Sequence, residues 1–256
     1  MKLDATRYWI RARLYPAILA TAPVIALVLT LVPWSNLHPT QLVGSIGVGV
    51  MIYALSIYSR RAGKTLERNL KNEIGPTHTS SMLWHSNDHL HADRKDPIVS
   101  FVASKIGQRR PTRDEEKADP ARAHAFYDRC ATWLRENMRG PEYSILFEEN
   151  VAYGFQRNLL GLKKFGLMAN GLAVLIAASI AFYGYWFADL RNIAGFAFVL
   201  VVGVVHAVFF LMLVNKAAVV ETSDAYFRQL IGSCEILIGK AEINRSSAKR
   251  SPKRNR

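Results

Sequence analysis

Hydrophobic residues are concentrated in four long runs, and polar residues fill the segments between them. The runs contain no Asp, Glu, Lys or Arg over 17 to 21 positions, and they cover residues 15–33, 42–58, 167–187 and 194–214. A helix of about 20 apolar residues is long enough to cross the ~30 Å hydrocarbon core of a bilayer. The connecting segments are too charged to cover four such helices in a soluble domain. The pattern therefore predicts four transmembrane helices.

The positive charges are distributed unevenly around the four runs. All but one of the 33 lysines and arginines lie before the first run, between the second and third, or after the fourth, and the exception is Arg191. Because these residues accumulate on the cytoplasmic side, both termini and residues 59–166 are predicted to be cytoplasmic. This topology and anionic lipid explain much of the net charge of +13. The first run reaches Pro33, longer than the apolar part of a signal peptide, which favours an uncleaved anchor.

The predicted fold class is all-α: a polytopic membrane protein with four transmembrane helices and a helical cytoplasmic insert between spans two and three. The predicted parts are a cytoplasmic N-terminus (1–14), a first transmembrane hairpin (15–58), a helical cytoplasmic domain (59–166), a second transmembrane hairpin (167–214), and a cytoplasmic C-terminal helix with a disordered basic tail (215–256). Residues 245–256 predict the tail because they contain six cations and no acid. Cys130 and Cys234 fall in cytoplasmic parts, so we expect reduced, structural thiols.

Local signals divide the cytoplasmic parts into helices. Helix-forming residues extend the second span to residue 73, and Gly75-Pro76 ends that helix. Further helices are predicted over 77–90, over 120–139, from 141 into the third span, and over 217–243. Asp96-Pro97 is predicted to form a turn. The charged residues 107–118 are predicted to form an exposed loop.

A histidine-rich segment is the strongest candidate for metal chemistry. It contains His78, His85, Asp88, His89, His91 and Asp93. On a helix, His85 and His89 would share one face and could bind a metal; the alternative is a solvated polar face. The chain has no His-Glu-x-x-His motif, nucleophile elbow, phosphate-binding glycine-rich loop or dinucleotide fingerprint. We therefore predict no enzyme activity, no cofactor and no bound metal.

Polar residues inside the predicted spans are candidate functional groups, because they are costly in lipid unless they face protein or water. His206, near the midpoint of the fourth span, is the main candidate. Asn170 and Ser179 in the third span are weaker candidates. The alternative for His206 is a neutral imidazole that forms a hydrogen bond between helices.

Two groups of cytoplasmic cations are candidates for binding an anionic ligand, since arginine and lysine bind phosphates. They are Arg60, Arg61, Lys64, Arg68 and Lys71 on the extension of the second span, and Arg109, Arg110 and Arg113 in the charged segment. The alternatives are lipid headgroups as the partners of the first group and a solvated loop for the second.

Residues 141–163, PEYSILFEENVAYGFQRNLLGLK, carry a recognisable signature. This run resembles a group of largely uncharacterised bacterial four-span membrane proteins in which Glu-Asn-x-x-Tyr-Gly-Phe-x-Arg-Asn-Leu-x-Gly-Leu-Lys enters the third span. The matching positions are Glu149, Asn150, Tyr153, Gly154, Phe155, Arg157, Asn158, Leu159, Gly161, Leu162 and Lys163. Gly75-Pro76-Thr77, Asp119-Pro120 and Leu134-Arg135-Glu136 also resemble the pattern of the group.

Proteins of this architecture resemble membrane effectors of bacterial anti-phage operons, including channel effectors of the Hailong type. Those effectors are controlled by a nucleotide or oligonucleotide that a partner nucleotidyltransferase makes. The resemblance therefore implies a multi-pass protein of the bacterial inner membrane, a nucleotide or oligonucleotide ligand, and an operon-encoded nucleotidyltransferase as partner.

The leading hypothesis is an oligomeric ion channel or pore-forming effector that is gated from the cytoplasm by such a ligand or by a partner protein. Four spans leave little room for a pore in one copy, so we expect the ion path between the subunits of a homo-oligomer, with a tetramer favoured. His206 would line or brace the pore. A hinge or interprotomer network is predicted at Asn150, Tyr153, Arg157 and Asn158. The alternatives are a non-conducting membrane adaptor that recruits a cytoplasmic enzyme, and a membrane-bound metal-dependent hydrolase.

Overall fold

The protein is described by a computed structural model over residues 2–32, 39–74, 80–88, 90–186 and 193–250. Every regular element within these residues is a helix. The predicted all-α class is thereby confirmed for this part of the chain. The predicted helix end at Gly75-Pro76, the side chains of His78 and His89, and Arg191 lie outside the described residues.

Nine α-helices occur in the described ranges: α1 (Lys2–Trp9), α2 (Tyr15–Leu31), α3 (Pro39–Ile74), α4 (Ala92–Ile106), α5 (Arg113–Ala118), α6 (Pro120–Asn137), α7 (Ser144–Trp186), α8 (Ile193–Met212) and α9 (Lys216–Arg250). A π-helical turn, Ile10–Leu14, joins α1 to α2, and 3₁₀ turns form at Ser81–Leu83 and Pro141–Tyr143. The uninterrupted course of α3 and α7 confirms two predictions: the second apolar run continues as a helix, and a helix from the insert continues into the third run.

Three stretches of the described chain are long and apolar enough to cross a membrane. They are Asp4–Leu31, Pro141–Trp186 and Ile193–Met212. Large apolar side chains on these helices face outward; Leu175, Phe182 and Val204 are 67 %, 68 % and 64 % exposed. An apolar surface of this kind suits contact with lipid rather than water. The run 42–58 lies within α3, and its role as a fourth span stays a prediction.

Two predictions about the segment before α6 are wrong. Residues 80–88 contain one 3₁₀ turn in place of the predicted helix over 77–90, so His85 does not lie on a helical face. Pro97, predicted in a turn, lies inside α4. Its missing N–H removes only the bond to the Asp93 carbonyl, and the rest of the helix continues.

The predicted loop over 107–118 and the predicted disordered tail are also partly helical. Gly107 ends α4 in the left-handed region with φ 64°. A capping box then starts α5: the Glu115 N–H donates to the Thr112 hydroxyl oxygen at 3.3 Å, and the Thr112 N–H donates to the Glu115 carboxylate at 2.8 Å. At the other end of the chain, α9 continues to Arg250, so residues 245–250 are helical.

The described helices form two compact units. Unit 1 comprises Met1–Asn69 and Val151–Val219, and unit 2 comprises Leu70–Asn150 and Val220–Arg256. Unit 1 contains two apolar clusters, one that includes Leu162 and Phe210 and one that includes Leu27 and Val199. The completely buried side chains of unit 2 include Leu83, Tyr127, Leu134, Phe227 and Leu230.

Both cysteines are free and buried in unit 2, as predicted. Burial raises the pKa of Cys130 and of Cys234 to about 12. The thiolate is the reactive form of cysteine. Both side chains therefore stay protonated at neutral pH and act as small apolar core residues.

Candidate functional site

The side chain of His206 donates to a backbone carbonyl that lacks its helical donor because of a proline. Pro23 lies inside α2 and has no N–H, so the carbonyl of Leu19, four residues earlier, lacks its helical donor. His206 Nε2 lies 3.1 Å from that carbonyl oxygen. Because a carbonyl only accepts, Nε2 carries the proton and donates. The imidazole is buried and stacks on Phe210, with ring centroids 4.4 Å apart. His206 thus links α8 to α2.

Asn158 also binds a backbone carbonyl, near the start of α2. Ala12 lies in the π-helical turn, where the Tyr15 N–H donates to the Ile10 carbonyl five residues earlier, and Pro16, just after this turn, has no N–H to donate. Asn158 Nδ2 donates to the Ala12 oxygen at 2.6 Å, and the asparagine is completely buried. A buried side chain from another helix of unit 1 therefore binds the carbonyl four residues before each of these two prolines.

Two further polar side chains bind carbonyls of α8 and of the residues just after it. Asn170 Nδ2 donates to the Gly203 oxygen at 3.0 Å. Lys163 Nζ donates to the Val214 oxygen at 2.7 Å, where a cation is favoured by the negative end of the helix dipole. Ser179 is exposed on α7. Of the three predicted intramembrane residues, His206 and Asn170 connect helices, and Ser179 lies on the surface of unit 1.

Glycines of the signature allow close contact between helices of unit 1. A methyl group on Gly161 would lie 2.8 Å from the backbone nitrogen of Gly63 and 2.9 Å from the carbonyl carbon of Ala62. A methyl group on Gly154 would lie 2.6 Å from the hydroxyl oxygen of Tyr8. Small residues let helix backbones approach in this way inside membranes. These two signature positions therefore have a packing role.

Three of the four predicted hinge residues, Tyr153, Arg157 and Asn158, contact partners in the same chain. Arg157 Nη1 lies 2.9 Å from Glu67 Oε2, which joins α7 to α3. The guanidinium also lies over the Tyr153 ring, 5.3 Å from its centroid. Asn158 binds the Ala12 carbonyl in the π-helical turn as described above, and Asn150 is half-buried on α7. Their action as a hinge, or between protomers, stays a prediction.

The first predicted cation group forms an exposed surface on α3. Its described side chains are Arg60, Arg61, Lys64 and Arg68, and all four are exposed. Lys71 lies on the same helix, with its side chain outside the described part. Exposed cations on one helix attract anions, whether lipid phosphates or a soluble ligand.

The second predicted cation group is dispersed. Arg109 pairs with Glu115 at the surface. Arg110 Nη1 donates to Asp96 Oδ1 at 2.6 Å, and its Nε donates to the Tyr127 hydroxyl oxygen at 3.4 Å. Arg113 lines a cavity that does not include the other two arginines. The three arginines therefore do not form one anion-binding patch, and Arg110 instead ties α4 to α6.

His85 is held by two hydrogen bonds in unit 2. Its backbone N–H donates to the Glu116 carboxylate at 2.9 Å. Its Nε2 atom lies 3.0 Å from the Pro111 carbonyl oxygen, which requires the proton on Nε2. Among the described side chains, no group of three or more His, Cys, Asp or Glu residues is arranged to hold a metal ion, and His89 lies outside them.

A polar cavity of about 280 Å³ opens beside His85. The first turn of α4 forms one wall, and the others are formed by His85, Asp88, Leu90, His91 and Arg113. Lys95 and Asp96 from α4 also line it. The cavity brings Arg113, a predicted ligand residue, next to Lys95, which the sequence patterns do not indicate as a site residue.

Asp96→Asn is expected to flatten the acid dependence of stability. The hydrogen bond from Arg110 lowers the pKa of Asp96. A carboxyl with a lowered folded-state pKa stabilises the fold above its unfolded pKa of about 3.9, and this contribution is lost as the pH falls through the folded value. Thermal unfolding of the purified protein between roughly pH 7 and pH 3 measures the effect. Asp114→Asn on the exposed face of α5 is the control, and equal slopes for both variants would contradict the prediction.

Comparison with known proteins gives no match: no family model fits the chain, and no curated protein or solved structure is similar to it. The class of the protein is therefore established from its own sequence and structure. It is an all-α membrane protein with helices long and apolar enough to cross a bilayer. Buried side chains that bind backbone carbonyls connect these helices.

Proposed function

We propose that the protein is an oligomeric ion channel or pore-forming effector of the bacterial inner membrane. A nucleotide, an oligonucleotide or a partner protein gates it from the cytoplasm, and a nucleotidyltransferase supplies the ligand. In this proposal the run 42–58 is the fourth span and both termini are cytoplasmic. Residues 141–163 resemble a group of four-span membrane proteins, and the resemblance of that architecture to membrane effectors of anti-phage operons supports a role in anti-phage defence.

Helix continuity is the observation that carries the proposal. α7 is one helix of 43 residues; residues 144–150 belong to unit 2 and residues 151–186 to unit 1. α3 also supplies residues to both units. A helix transmits a displacement along its length, so a ligand on the charged extension of α3 or on unit 2 can bias the spans of unit 1. The ligand must bind the open and closed states with different affinity for this bias to exist.

The contacts inside unit 1 favour an ion path between copies rather than through one copy. His206, Asn158 and Asn170 each bind a backbone carbonyl of the same chain. These contacts support a bracing role for His206 rather than direct lining of a pore. A symmetric ring of copies would then enclose the path around its axis, and we favour a tetramer.

Ion flux through liposomes that contain the purified protein tests the proposal. We expect flux that changes when cyclic or linear oligonucleotides are added on the cytoplasmic side. Replacing Arg60 and Arg61 by glutamine should reduce this ligand response, because it removes two exposed cations of α3. Arg109→Gln, at an exposed arginine that already pairs with Glu115, is the matched control.

A folded, oligomeric preparation whose flux equals that of empty liposomes with every ligand would refute the channel. The adaptor hypothesis would then be the next to test, by capture of a cytoplasmic enzyme on unit 2. Ligand-dependent flux with a normal response in the Arg60 and Arg61 variant would keep the channel and remove the α3 cations as the ligand site.

A further inference from the structure

Lys95 is the central feature of the polar cavity in unit 2. The residue is only 3 % exposed, yet its side chain lines the cavity. Its Nζ atom donates to the carbonyl oxygens of Trp84 at 2.6 Å and Asn87 at 2.7 Å. An ammonium group has three N–H donors. The third has no acceptor among the described residues.

The charge of Lys95 lacks a direct counter-charge in the described part of unit 2. No carboxylate there lies within ion-pair distance of Nζ, and the neighbouring Asp96 is already bound by Arg110 at 2.6 Å. Burial lowers the pKa of Lys95 most, and the nearby Arg110 lowers it further; the charges of Asp96, Asp88 and Glu116 act in the opposite direction without overcoming this effect. A buried cation of this kind is costly unless an anion compensates it.

Two other features make the cavity attractive to an anion. Arg113, which is exposed, adds a second cation to the lining. The 15-residue helix α4 begins at the cavity with His91 as N-cap, and the side chain of His91 makes no capping hydrogen bond. The positive end of the helix dipole therefore adds to the field of Lys95 and Arg113.

We propose that this cavity binds a phosphate monoester. The phosphate oxygens accept hydrogen bonds from Lys95 Nζ and the Arg113 guanidinium, and Asp88 and His91, which also line the cavity, contact the polar remainder. A volume of about 280 Å³ is near the lower end of ligand pockets, roughly 300 Å³, which favours a small molecule. The same chemistry fits a soluble phosphate monoester or the phosphate headgroup of a lipid. This inference extends the proposed function. Only an effect of the bound phosphate on ion flux rests on the proposed channel; the binding site itself does not.

Equilibrium binding of glycerol 3-phosphate and inorganic phosphate to the detergent-solubilised full chain tests the site. We expect saturable binding that Arg113→Ala weakens about tenfold or more, since a charge-assisted hydrogen bond is lost. Arg109→Ala, at another exposed arginine four positions earlier, should bind as the unmodified chain does. Lys95→Met should abolish binding. Because this variant loses buried hydrogen bonds, its melting temperature is measured as well. If Lys95→Met does not fold, the comparison of Arg113→Ala with Arg109→Ala still tests the site.

The outcomes distinguish a soluble phosphate from a lipid headgroup. They also distinguish failure of the phosphate site from failure of the gated channel. Binding of glycerol 3-phosphate supports a soluble ligand, whereas binding only to vesicles with phosphatidic acid, lost in Arg113→Ala, supports a lipid headgroup. Absence of binding to all three probes, or equal binding by the Arg113 and Arg109 variants, overturns the site. Specific binding without any effect on flux keeps the site and counts against the gated channel.

Discussion

Replacing Gly161 by alanine is expected to destabilise unit 1 by about 1–3 kcal/mol or more, because the new methyl group overpacks a helix contact. It would meet the backbone of Ala62 and Gly63 at 2.9 and 2.8 Å, and backbone atoms cannot move aside as a flexible side chain can. α3 and α7 must therefore separate. Reversible unfolding of the purified protein in detergent micelles, followed by circular dichroism, measures the change.

Gly171→Ala provides a matched control on the same helix. A methyl group at Gly171 meets no atom within 4 Å, so only helix propensity changes, and this favours alanine by up to about 1 kcal/mol. The two substitutions are chemically identical and differ in their surroundings. If Gly161→Ala is as stable as Gly171→Ala, the close contact of α3 with α7 does not exist as described.

His206→Ala is expected to destabilise unit 1 by about 1–2 kcal/mol, and Pro23→Ala in the same chain to restore most of the loss. The first change leaves the Leu19 carbonyl without a donor, since Pro23 has no N–H. The second returns a backbone N–H at position 23 that bonds to that oxygen. The stabilities of the unmodified chain, both single variants and the double variant form a cycle that isolates the coupling.

His206→Gln is the conservative variant for this cycle, because its side-chain amide can donate to the Leu19 carbonyl in place of Nε2. It should recover part of the stability even though the stack on Phe210 is lost. Additive effects of His206→Ala and Pro23→Ala would show that the histidine does not serve the orphaned carbonyl. Its place in the membrane would then need another explanation.

Local patterns predict the helices well where their signals are contained within a few residues. The amphipathic spacing of residues 120–139 corresponds to α6, and the apolar runs correspond to parts of α2, α3, α7 and α8. The capping box of Thr112 and Glu115 is also local. In the sequence, however, the charge density around it favours a loop, so α5 appears only in the structure.

The irregular segment before α4 cannot be predicted from local spacing. In a helix over 77–90, the carbonyl of Trp84 would bond to a backbone N–H four residues later. Instead it accepts from the Asn87 N–H, three residues later, and from Lys95 Nζ, 11 residues away. The carbonyl of Asn87 also accepts from Lys95 Nζ. Arg110 likewise binds Asp96 on α4 and Tyr127 on α6, 14 and 17 residues away, so the division of the three arginines is not visible in the sequence.

The sequence by itself determines the helical class, the apolar runs that favour a membrane, and the carbonyl of Leu19 that loses its donor to Pro23. This last point is local because the α-helical repeat is a property of the backbone. Only the tertiary structure shows the π-helical turn before Pro16 and decides which side chains bind the carbonyls of Ala12 and Leu19. Asn158 and His206 lie 146 and 187 residues from their acceptors, and no local pattern specifies which helices will pack together over such a distance.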